Sequence, residues 1–179
     1  MKKDSVNKSK KKIFLSHSGK DKEYAIEIAK KIEVHLKLIS SSFEFEIFNT
    51  SHQRYRFKEF EKMVLVEESF KEKYFEWEKE LIMYLKKNLL ASDIYLLLVT
   101  KRSLLENSKL ILWEMKLADK EARKRKASFF IPCLYNGASF AELPTKAEYF
   151  QGVDLNSEEG FIKLKRELIH FLKITDRMD

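Results

Sequence analysis

The apolar positions of this chain fall into two periodicities that alternate along it. "DIYLLLVT" is apolar without a break from Ile94 to Val99, the pattern of a strand buried on both faces. "KKIFLS" (11–16), "FFIPCL" (129–134) and a short "GVDL" (152–155) read as further strands. "FEFEIF" (43–48) alternates apolar and acidic residues, as a half-buried strand does. Between them the spacing changes to three and four. Tyr24, Ala25, Ile28, Ala29, Ile32 and Leu36 line one helix face, and Trp77, Leu81, Leu85 and Leu89 another. Phe161, Leu164, Leu168, Phe171 and Leu172 stripe a last helix, with Ser157 placed to cap it.

Strands that alternate with helices predict a parallel sheet covered on both faces. In such sheets ligands bind beyond the carboxyl ends of the strands, near the point where strand order reverses. Ser16–Gly19, Asn49–Ser51 and the stretch from Thr100 to Glu114 occupy those positions. Residues 49–73 follow neither periodicity. They open basic and aromatic (His52, Arg54, Tyr55, Arg56, Phe57), and no Gly or Pro occurs between Gly19 and Pro132. The segment reads as an ordered helical excursion rather than an open loop, with a clear helix from Tyr74 onward. Tyr55 and Phe57 could cap a nucleotide or simply anchor the excursion.

Length changes the picture little: 179 residues suit one domain, placed at 12–175 behind a polar, mobile leader at 1–11. Six lysines crowd the first twelve residues, and Arg123-Lys-Arg-Lys126 forms a second basic cluster in a chain of net charge +7. Neither cluster carries the interleaved aromatics of a nucleic-acid motif, so no nucleic-acid or membrane partner is expected. The second cluster reads as a helix C-terminus complementing its dipole. A basic surface would also attract a pyrophosphate-bearing molecule. No apolar run suggests a membrane span or signal peptide. The single cysteine, Cys133, precludes an intrachain disulfide and suits a reducing compartment, so the expected location is cytoplasmic.

One residue breaks the helical pattern. In "KLILWEMKLA" (109–118), Leu110, Ile111, Leu117 and Ala118 surround Glu114, where a solvated acid does not belong. Glu114 could reach the sheet edge and pair with Lys101 or Arg102, or it could be a site. Familiar sites are missing: no GxGxxG follows the first strand, and no GxxxxGK[ST] occurs. The four histidines lack metal-ligand spacing, and Cys133, beside Pro132 in a strand, reads as a core thiol. A receiver-type phosphoacceptor would need acids where Ser16-His17-Ser18 and Thr100-Lys101 stand.

Two segments, "IFLSHSGKDKEYA" and "LLLVTKRSLLENSKLILWEMKLA", together resemble the TIR (Toll/interleukin-1 receptor) domain family in its bacterial form. The first is similar to that family's opening strand and phosphate-side loop. The second is similar to its central strand, a serine-bearing turn and the helix with the catalytic glutamate. The resemblance spans Lys12 to Leu172 and implies a flavodoxin-like, open, five-stranded parallel sheet with helices on both faces. Glu114 then matches the catalytic glutamate and Ser108 the serine preceding it. Phe14, Ser16, His17, Ser18, Gly19, Asn49, Thr50 and Leu110 fall at substrate-side positions. Two departures stand out. Leu110 occupies the position often held by Trp, with Trp113 beside Glu114 instead, and the loop beginning Asn49-Thr50 is longer than usual. From the residues alone, Phe14 also reads as core, His17 as a polar rim residue and Ser18 as a helix cap.

Enzymatic members of the family cleave the nicotinamide–ribose bond of NAD, which is their substrate, and need no cofactor or metal. A carboxylate beside the departing nicotinamide offsets the charge of an oxocarbenium-like ribose. Water as acceptor gives ADP-ribose; a nucleophile on the adenine half gives a cyclic product. The resemblance further implies self-association through the domain and a separate sensor or effector protein, as in Thoeris-type antiphage defence. A non-enzymatic adaptor acting through TIR–TIR contacts is the alternative.

Overall fold

A computed structural model describes residues 9–39, 43–49, 70–106, 109–125, 129–142 and 152–175. Strand β1 (Ser9–Ser16) leads through a 3-10 turn at Gly19–Asp21 into helix α1 (Lys22–Ile39), followed by β2 (Phe43–Asn49). Helix α2 (Phe70–Leu90) then precedes β3 (Ile94–Val99). After β3 come a short helix α3 (Lys101–Glu106), α4 (Lys109–Arg125) and β4 (Phe130–Leu134). A second 3-10 turn at Phe140–Glu142, the two-residue β5 (Val153–Asp154) and α5 (Glu158–Thr175) complete the order.

The five strands pair in parallel in the order β2-β1-β3-β4-β5, the flavodoxin-like arrangement. Alternation along each strand assigns side chains to two layers. Ile13, Leu15, Ile94, Leu96, Leu98, Ile131 and Cys133 pack with Ile28, Ile32 and Leu36 of α1 and Leu164 and Leu168 of α5. Phe14, Tyr95, Leu97, Val99, Phe130 and Leu134 pack with Leu81, Leu85 and Leu89 of α2 and Ile111, Ala118 and Ala122 of α4. Every residue of β3 and β4 is buried, which is why their sequences are apolar runs rather than alternating ones. Cys133 is fully buried, its thiol held well above the usual range by desolvation, as a core thiol should be.

Three sequence expectations need correction. The sheet begins before residue 12, where the sequence places the end of the leader: Ser9–Lys11 already pair with Phe43–Phe45. Ladder hydrogen bonds use only the backbone, so a polar sequence gives no warning of them, and Lys11 is buried. The second helix begins at Phe70, four residues before the apolar stripe becomes legible. The excursion at 50–69, with Tyr55 and Phe57, lies outside the described residues, as does the leader at 1–8. Third, the basic cluster does more than complement its own helix. The Arg125 guanidinium donates to the carbonyls of Leu90 and Ser92, both at 2.8 Å, closing the C-terminus of α2. Ser157 caps α5 as expected, its Oγ accepting from Gly160 N–H at 3.2 Å. Among the described residues no helix is long and apolar enough to cross a membrane.

Candidate functional site

Strand order reverses between β1 and β3. The chain leaves β1 toward α1 on one face and leaves β3 toward α4 on the other, the arrangement that in open α/β sheets places the ligand crevice at the carboxyl ends of the strands. Polar side chains gather there. Ser16, His17, Ser18, Asp21, Thr100 and Glu114 are all buried, and make up most of the buried polar residues described. A desolvated polar group needs a hydrogen-bond partner, so each of these has to be accounted for.

Glu114 continues the stripe Ile111, Ala118, Ala122 with which α4 faces the sheet. Ser16 ends β1 on the same side as Phe14, by the alternation of the strand. The two meet: the Ser16 hydroxyl donates to Glu114 Oε2. Lys101 and Arg102, the ion-pair partners that a structural reading offered, are exposed.

A second pair also links the β1 end to the end of β3. The Thr100 hydroxyl donates to Asp21 Oδ2 at 2.8 Å and accepts from Ser103 N–H at 3.1 Å. Ser103 Oγ returns the contact, accepting from Thr100 N–H at 2.8 Å, a reciprocal cap on the first turn of α3. Ser18 caps the 3-10 turn before α1, its Oγ accepting from Lys20 N–H at 3.2 Å and its carbonyl from Asp21 N–H at 3.0 Å.

His17 corrects its rim reading. It is fully buried, and Nδ1 donates to the Ser18 carbonyl at 2.5 Å, which makes Nδ1 the protonated ring nitrogen. Phe14 is a core residue, its ring 5.6 Å from Tyr95 and 5.0 Å from Phe48, with no exposed face. Gly19 is exposed at the start of the 3-10 turn. Asn49 ends β2 opposite Leu15, at the level of the crevice, and Leu110 lies in the first turn of α4. Thr50 and Ser108 lie outside the described residues. The structure thus brings Ser16, His17, Ser18 and Glu114 together, with the Gly19 and Asn49 backbones at the same edge.

Sequence reasoning missed Asp21 and the bond it makes to Thr100. The available signal was Ser18-x-x-Asp21 at a helix start, a capping pattern that reads as local and gives no hint of a partner 79 residues away.

Chemically, the crevice offers a water-excluded carboxylate already holding one hydroxyl donor. Such a group can bind a diol and stabilise an adjacent developing cation. Among the described residues no cluster of three or more His, Cys, Asp or Glu is arranged to hold a metal. No family model matches this chain, and no curated protein matches it.

Proposed function

We propose that this protein is a TIR-type enzyme that cleaves the nicotinamide–ribose bond of NAD. The observation carrying the reading is the buried Ser16–Glu114 pair at the carboxyl ends of β1 and β3, where open α/β sheets bind ligands. In the proposed reaction the C–N glycosidic bond breaks and its electron pair leaves with nicotinamide, neutralising the pyridinium ring. The ribose is left with oxocarbenium character. Glu114 offsets that charge and accepts a ribose hydroxyl, the same kind of bond that Ser16 makes to it. Water then adds and loses a proton to give ADP-ribose, or an adenine nitrogen adds to give a cyclic signal.

Phe14 is left out of substrate contact because its ring is packed in the core between Phe48 and Tyr95, whereas Ser16, His17 and Ser18 are proposed to line the substrate side beneath Gly19 and Asn49, with Thr50, Ser108 and Leu110 as the proposed continuation. We assign the activity to a self-associated form in the cytoplasm, acting with a separate effector or sensor in antiphage defence. The lone buried thiol suits that compartment.

One observation favours a second reading. Glu114 is fully buried and already has a protein partner, which suits a structural carboxylate in a non-enzymatic TIR adaptor. Incubating concentrated purified protein with NAD and separating products by chromatography decides between them. Release of nicotinamide with ADP-ribose or a cyclic isomer, at a specific activity that rises with protein concentration, supports the enzyme. Intact NAD at every concentration supports the adaptor.

A further inference from the structure

Two hydrogen bonds cross the crevice, and each ties a residue of the β1 side to one that follows from β3. Ser16 reaches Glu114 directly. Asp21, fully buried in the turn after β1, reaches Thr100, the residue between β3 and α3. The Thr100 oxygen has two occupied directions. It accepts from Ser103 N–H, which can only donate, so its own proton is directed at Asp21 Oδ2. Asp21 therefore sets the rotamer of the hydroxyl that caps α3, and α3 leads into α4, which carries Glu114.

We propose that Asp21 is a positioning residue for Glu114, acting through Thr100 and Ser103 without touching substrate. The Ser16 bond fixes the carboxylate at its tip; the Asp21–Thr100 bond fixes where α3, the helix preceding that of Glu114 in the chain, departs from the sheet. Positioning matters because a carboxylate displaced by about an ångström from a developing cation loses much of its effect. The catalytic part of this inference rests on the NAD-cleaving reading, whereas the positioning part does not.

The test uses the full chain with Thr100→Val, Thr100→Ser and Asp21→Asn, and two readouts. The first is amide hydrogen exchange, which needs no activity. Thr100→Val should speed exchange in α3 and the first half of α4 by about tenfold while leaving α5 unchanged. Thr100→Ser, which keeps the hydroxyl, should match the parent protein. An unchanged α4, or equal acceleration in every helix, overturns the positioning role. Thr100→Ala, without the added methyl, replaces the valine variant if that one does not fold; failure of both means that the bond serves the fold itself, which also overturns it.

The second readout is NAD cleavage. Thr100→Val should lower kcat by roughly 10- to 100-fold with KM within about twofold, and Thr100→Ser should recover to within about threefold. Combined with Glu114→Gln, Thr100→Val should add nothing further, because it acts through that carboxylate. Asp21→Asn keeps an acceptor for Thr100 and should resemble Thr100→Ser. A loss in Asp21→Asn as deep as in Glu114→Gln, with exchange in α4 unchanged, overturns the proposal by making Asp21 itself catalytic. If the parent protein leaves NAD intact, the NAD reading fails, and the exchange arm still decides whether the Asp21–Thr100 bond positions the Glu114 helix.

Discussion

The Ser16 hydroxyl donates to Glu114 Oε2 across a sequence separation of 98 residues, joining the end of β1 to the middle of α4. Both groups are fully buried, so water does not readily replace a lost donor. Ser16→Ala leaves a desolvated carboxylate with one partner fewer, and should reduce stability by about 1.5–3 kcal/mol. Urea denaturation reads this as a lower midpoint at constant slope. A midpoint within error of the parent protein would mean that Ser16 contributes no net stabilisation to Glu114.

Arg125 should be intolerant of even its closest replacement. Its guanidinium holds the carbonyls of Leu90 and Ser92, bonds Glu121 at 3.1 Å and lies 4.3 Å from the Phe129 ring centroid. An ammonium cannot reproduce that planar fork. Arg125→Lys is expected to lose about 1–2 kcal/mol in the same denaturation experiment. Arg123→Lys, whose ion pair with Asp119 is exposed, should change stability by less than about 0.5 kcal/mol.

Glu121 gives a pH dependence with a definite sign. Burial alone would push its carboxyl up, but the hydrogen bond and charge of Arg125, with Lys124 beside it, hold it below its ordinary 4.5. A carboxylate lowered on folding stabilises the fold at pH above its unfolded value, and that contribution disappears as pH falls through the lower folded value. Glu121→Gln should therefore melt below the parent protein at pH 7, by the few tenths of a kcal/mol of an i,i+4 pair. The two melting temperatures should converge toward pH 3. A gap of constant size from pH 7 to pH 3 would mean that the carboxylate charge is not its source.

Two glycines should respond oppositely to alanine. A methyl at Gly160 would sit 1.5 Å from the Asp154 carbonyl oxygen, because α5 begins in direct contact with the end of β5. Gly160→Ala must push the helix off the sheet, and a loss of about 3 kcal/mol or more is expected. At Gly19 nothing lies within 4 Å of the added carbon, so Gly19→Ala should be nearly neutral in stability. Thermal melting of both variants compares them directly.

What could be read in the chain was whatever periodicity encodes. Ile94–Val99 announced a doubly covered strand because burial on both faces leaves no polar position, and the helices declared themselves through Leu81, Leu85 and Leu89 or Leu164 and Leu168. Glu114 was legible as an exception to the same rule. Long-range polar pairing was not, since the Asp21–Thr100 bond is written in two residues that each have a sufficient local explanation as caps. The burial of His17 escaped for a similar reason: a histidine after a strand looks like rim, and only the folded turn supplies the Ser18 carbonyl that satisfies Nδ1. Ser9–Lys11 show the limit from the other side, because backbone pairing with β2 leaves no mark on side-chain pattern.

Glu114 is proposed here as a catalytic carboxylate rather than a structural one, and a single variant measured in two ways separates the two roles. Glu114→Gln keeps the shape of the side chain and an oxygen that can accept from Ser16, but removes the charge. NAD cleavage should fall by orders of magnitude, each factor of ten being about 1.4 kcal/mol of transition-state stabilisation. The melting temperature should stay the same or rise, because a buried neutral amide is easier to keep than a buried charge. Unchanged turnover per folded molecule, together with a lowered melting temperature, would contradict the claim and make Glu114 a structural residue.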